Sequence, residues 1–115
     1  MSNKLENKIN KILANIGIPS HLSGNYYLKF IILKIINNEN YLNINELYSI
    51  TSKELNVKRY AIERSIRYAI KQAFKNIDIK VINKFFGNTI NKSKKRPTSS
   101  EFVFSIANYI IFKSR

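Results

Sequence analysis

The sequence predicts an all-α domain, and three observations carry that reading. Apolar residues recur at spacings of three and four rather than two, the period of a helix and not of a strand. Gly, Pro and Asn fall where the apolar periods stop. Thr98 and Glu101 have the S/T-x-x-E spacing of a capping box, just ahead of the last apolar run.

Each element follows in order. Leu5, Ile9, Ile12, Leu13 and Ile16 share one helical face, and Gly17 then Pro19 end that helix. After GIPSHLSG, residues 25–38 (NYYLKFIILKIINN) carry Leu28, Ile31, Ile32, Ile35 and Ile36. That wide apolar face predicts the central buried helix. NNENYLN reads as a loop. Ile44, Leu47, Tyr48 and Leu55 predict a helix over 43–55, and Asn56 suits the left-handed position that ends it. The next helix covers about 58–75. Asp78 caps a short helix with Ile82, Phe85 and Phe86, closed by Gly87. NTINKSKKRP is a basic loop, and a last helix covers 99–112.

Length and composition narrow the function. The 115 residues suffice for one domain with a core, so 1–115 reads as a single unit. There is no cysteine, hence no disulfide framework and no thiolate site. No apolar run reaches the roughly 18 residues of a membrane span, and the charged start MSNKLENKINK has no secretory core. A cytoplasmic protein with no membrane association is expected.

The net charge of +13 is unevenly placed. Residues 1–57 carry six basic and four acidic side chains; residues 58–115 carry fourteen and three. A solvated surface needs no such asymmetry, whereas a polyanion facing the second half does. The chain has fifteen lysines and five arginines, yet Arg59, Arg64 and Arg67 fall within nine residues.

Two helices joined at LNVK, the second opening on basic residues, outline a helix-turn-helix over about 43–75. On the second helix Ile62, Ile66, Ala69, Ile70 and Ala73 form a core face. Tyr60, Glu63, Arg64, Arg67 and Lys71 form a polar face, with Arg59 to the side. Arginine pairs bidentately with guanine O6 and N7, which lysine does less well. A carboxylate repels phosphates but accepts from cytosine N4. These residues are therefore candidates to read base edges of double-stranded DNA. Other readings of the same face remain open: RNA or nonspecific polyanion binding, or an exposed helix with Glu63–Arg67 as an ordinary i,i+4 ion pair.

Other features divide between functional and structural readings. Lys58 and Lys71, and Lys92, Lys94, Lys95 and Arg96 of the basic loop, are candidate phosphate ligands, helped by backbone N–H groups at Ser99 and Ser100. The alternative reading of the loop is a disordered, solvated segment. FVFSIANYIIF is apolar on more than one face. Phe102, Ile106, Tyr109 and Ile110 are candidates for a dimer contact, or for a central core position. His21 is the one histidine, a loop or packing residue rather than a metal ligand. The seven carboxylates are scattered, and no P-loop or H-E-x-x-H is present. Neither an enzyme nor a cofactor is expected.

Four stretches resemble one family. IGIPSHLSGNYYL, IERSIRYAI, FFGNTI and KRPTSSEFV match, in order, segments of the DNA-binding effector domain of stage zero sporulation protein A. The resemblance covers residues 5–112. It implies a compact six-helix domain with 59–75 as the recognition helix on a TGTCGAA-like box. It also implies self-association on tandem sites and a contact with RNA polymerase. The family's base-contacting Glu and two Arg fall on Glu63, Arg64 and Arg67. This chain departs in three places. Tyr60-Ala61 stands where a Ser-Arg pair is usual, Val57-Lys58 where Thr is favoured, and ELYSITSKEL is divergent. No phosphoacceptor receiver pattern precedes the domain, so the chain reads either as an excised domain or, as its native-looking start favours, as a free-standing relative that phosphorylation cannot release in cis. Such a relative could instead dimerise with, or antagonise, a full-length regulator.

Overall fold

The computed structural model describes residues 2–37, 43–87 and 96–113. They form six helices: α1 (Ser2–Ile16), α2 (Ser23–Asn37), α3 (Ile44–Leu55), α4 (Arg59–Ala73), α5 (Ile79–Phe85) and α6 (Ser99–Lys113). No strand occurs among the described residues. All six expected helices are present, with ends within about three residues of expectation.

The central helix is α2, as its apolar width predicts. It packs against α1, α3, α4 and α6, and it buries Leu28, Ile31 and Ile32 completely. Its start takes in Ser23 and Gly24, which the sequence reading leaves in the preceding loop. Gly24 is buried against α4. A Cβ there would overlap the Ser65 carbonyl oxygen and come within 2.7 Å of Ala69 Cβ. Glycine costs about 1 kcal/mol of helix propensity relative to alanine. Here that cost allows two backbones to approach closely.

The five residues expected on the core face of α4, Ile62, Ile66, Ala69, Ile70 and Ala73, are all buried. Behind them Phe74, Phe86 and Phe102 stack edge-on or tilted, at centroid separations of 5.4–6.5 Å. Phe102, Ile106 and Ile110 of α6 are 0–2% exposed in this same core. The expected dimer contact through these three is therefore corrected: their surface is already spent on the chain's own interior. Tyr109 is only partly buried.

The helix ends obey local chemistry. Asn43 caps α3: its Oδ1 accepts from Glu46 N at 2.8 Å, while Asn43 N donates to Glu46 Oε1 at 3.2 Å. Thr98 and Glu101 close the expected box, with Glu101 N donating to Thr98 Oγ1 at 3.1 Å and Thr98 N to Glu101 Oε1 at 2.8 Å. Asp78 accepts from Lys80 N at 2.8 Å at the start of α5.

Candidate nucleic-acid interface

The interface is set by the turn between α3 and α4. Asn56 holds φ 54°, the left-handed value its side chain tolerates. Its N–H and that of Val57 both donate to Ser52 O. Ser52 Oγ then donates to Val57 O at 2.6 Å. A three-residue turn thus has its backbone groups tied down before α4 begins. Lys58 stands at the N-cap with no side-chain cap bond, as expected where Thr is replaced.

Arg59 is not free on the polar face of α4. Its Nε donates to Glu63 Oε2 at 2.6 Å and its Nη2 to Asn45 Oδ1 at 2.6 Å. The guanidinium also lies over the Tyr48 ring, 5.5 Å from its centroid. A planar fork used on three sides fixes the carboxylate it holds. Glu63 Oε1 is 3.9 Å from Arg67 Nη1, too long for a hydrogen bond. That oxygen keeps acceptor capacity while sitting between two positive charges.

Arg64 and Tyr60 form a second unit. The Arg64 guanidinium stacks 5.2 Å from the Tyr60 centroid, and Tyr60 is 67% exposed. Arg67 and Lys71 continue the exposed line along α4. Beside them Arg64, Ser65, Tyr68, Leu22, Ser23 and Gly24 line a shallow cleft of about 230 Å³. Ser23 Oγ and Ser65 Oγ share a 3.3 Å hydrogen bond at its base.

Tyr48 joins the α3–α4 unit to α6. It is 6% exposed, and burial pushes its phenol above the ordinary value. The neighbouring Ser99 side chain opposes that shift; the Glu63 charge adds to it, and Arg67 and Arg59 oppose it. The start of α6 therefore adjoins the helix-turn-helix. Ser99 and Ser100 are half-buried there, and Arg96 is exposed just ahead. Lys92, Lys94 and Lys95 lie outside the described residues. His21 is exposed, and no metal-binding cluster occurs among the described residues.

The structure thus brings together Tyr60, Glu63, Arg64, Arg67 and Lys71, and ties Arg59 to Glu63 and Asn45. Sequence reasoning missed Asn45, Tyr48 as a stacking platform, and Tyr68. Tyr68 stands four residues after Arg64 and so was visible by spacing. Asn45 gave no signal, because its role depends on how α3 meets α4.

Two helices joined by a three-residue, hydrogen-bonded turn, the second with an exposed basic face, make a helix-turn-helix domain. The family model for the C-terminal domain of sporulation initiation factor Spo0A matches residues 9–110. The chain belongs to this family, whose members are DNA-binding sporulation regulator domains. No helix among the described residues is long and apolar enough to cross a membrane.

Proposed function

We propose that this chain is a cytoplasmic transcription regulator that reads a TGTCGAA-like box in double-stranded DNA with α4 in the major groove. One observation carries the reading. The sole carboxylate on the exposed face of α4 is held by Arg59 on one oxygen and keeps the other as an acceptor. A surface that only binds phosphates gains nothing from a fixed negative charge. A surface that accepts from cytosine N4 does.

Arg64 and Arg67 then take guanine edges, Tyr60 orders Arg64, and Arg59 acts as a clamp rather than a reader. Lys58, Lys71, Lys92, Lys94, Lys95 and Arg96, with the backbone at Ser99 and Ser100, take phosphates. Self-association on tandem boxes and a contact with RNA polymerase belong to this reading through the family.

The test is a fluorescence-anisotropy titration at one fixed salt. Three duplexes are compared: the box, the box with one C·G pair changed, and a scrambled sequence. Arg64→Ala should cost about 1–3 kcal/mol on the box and little on scrambled DNA. Glu63→Ala should leave scrambled binding equal or tighter and reduce discrimination at the C·G pair. Parental ratios across all three duplexes for Glu63→Ala would reduce Glu63 to an ion-pair partner and sink the assignment. The nonspecific binder and the protein-only partner are excluded together if the box outcompetes scrambled duplex at all.

A further inference from the structure

A second site lies on α1, α5 and α6, and none of its lining residues comes from α3 or α4. It is a cleft of about 380 Å³. Lys8, Lys11, Lys84 and Lys113 stand on its rim, all exposed. Among the described residues no acidic side chain lies within ion-pair distance of any of the four. The floor is mostly apolar, built from Ile12, Phe85, Tyr109 and Ile110, with Asn15 as its one polar amide. Phe85 and Tyr109 meet edge to face at 4.8 Å.

We infer that this cleft docks an acidic protein segment that inserts one apolar side chain between the lysines. The size fits a single anchor, since ligand clefts begin at roughly 300 Å³. Charge complementarity sets the rest: four cations with no described carboxylate in ion-pair distance attract Asp and Glu on either side of the anchor. Nucleic acid fits less well. A phosphodiester carries no apolar group to set against Phe85 and Tyr109. The four lysines also resolve a puzzle of the charge pattern. Lys8 and Lys11 are in the weakly charged first half of the sequence, yet the fold gathers them with Lys84 and Lys113 from the second.

The experiment uses the full chain and a pool of peptides of about twelve residues, a usual length for groove-binding segments. Each peptide has one central Leu, Ile or Phe, with other positions randomised among Asp, Glu, Ser and Lys. The expected result is enrichment of Asp and Glu around the anchor. Binding of the selected peptide should fall about tenfold in the Lys84→Gln/Lys113→Gln variant, the scale of losing two opposed charge contacts. It should fall by a comparable factor when the peptide's anchor becomes Ser. It should not change in the Arg64→Ala/Arg67→Ala variant. The proposal is overturned by no enrichment, by an anchor that proves dispensable, or by a loss that follows Arg64 and Arg67 instead. It is also overturned if Lys84→Gln/Lys113→Gln weakens scrambled duplex as much as peptide, because the lysines then form a nucleic-acid surface. Circular dichroism of both variants keeps folding and binding apart; these lysines are exposed, so an unchanged melt is expected.

Discussion

Arg59 and Glu63, one helical turn apart, are locked at 2.6 Å, and Asn45 of the preceding helix holds the far end of the same guanidinium at 2.6 Å. The pair is partly exposed, with side chains 41% and 29% accessible, so its worth to stability is small, about 0–1 kcal/mol. Its consequence is orientation. A free glutamate samples several rotamers, whereas this one presents Oε1 in a fixed direction.

Asn45→Ala tests that consequence without touching the reading face. Asn45 is exposed, so stability should change by no more than about 0.5 kcal/mol. Discrimination at the C·G pair should weaken, and scrambled-duplex affinity should stay as it was. Competition titrations of box against altered box give the ratio. An unchanged ratio would mean that Arg59 holds Glu63 without help from α3.

Phosphate contacts should show in the salt dependence. Binding through about five phosphates predicts a slope of log affinity on log salt of roughly −4 to −5. Arg96→Ala should make that slope shallower by about one, with little change in sequence preference. Titrations from low to moderate salt supply both numbers. A slope near zero would remove DNA as the partner.

Gly24→Ala isolates the close approach of α2 and α4. Helix propensity alone favours alanine by about 1 kcal/mol. Against it stands overlap with the Ser65 carbonyl oxygen, which is helix backbone and has no rotamer to move to. Overpacking of this kind costs about 1–3 kcal/mol or more, so a net loss is expected. The urea midpoint should fall and box affinity with it, since α4 is displaced. A raised midpoint would show that propensity wins and that the helices separate cheaply.

Gly24 also marks where the sequence stops being legible. Periodicity along one helix finds that helix and its buried face, which is why all five core residues of α4 were readable. Stops were readable because Asn56 and Gly87 announce positive φ locally. What a residue meets on another helix is not local. Gly24 reads as loop, and neither the Asn45–Arg59 hydrogen bond nor the stacking of Arg59 on Tyr48 is visible, until α2, α3 and α4 are set side by side. The Asn43–Glu46 box was legible in principle, as N-x-x-E ahead of an apolar run, but the wide Asn-rich stretch before it hides the start. Phe102, Ile106 and Ile110 stood between two readings. A helix apolar on several faces fits a core and a dimer equally, and only packing decides between them.

Tyr48 predicts a pH effect on stability. Its phenol, raised above the ordinary value of 10.0 mainly by burial, stays protonated in the fold after the unfolded chain has begun to ionise. A raised folded value for an acid means that the unfolded state releases its proton first. Stability from this group is therefore intact below pH 10 and lost as the pH climbs through the folded value. Tyr48→Phe removes the titration and keeps the ring beneath Arg59. At pH 7 the variant should lose about 0.5–1.5 kcal/mol, for the hydroxyl's interaction with Ser99. Above pH 10 the parent should fall faster than the variant, and their urea midpoints should converge. The two proteins differ only at this hydroxyl, so the difference between the two curves reports Tyr48 alone. Parallel curves at pH 7 and above pH 10 would show that Tyr48 ionises as easily in the fold as in the unfolded chain, and that α6 does not seal it against α3.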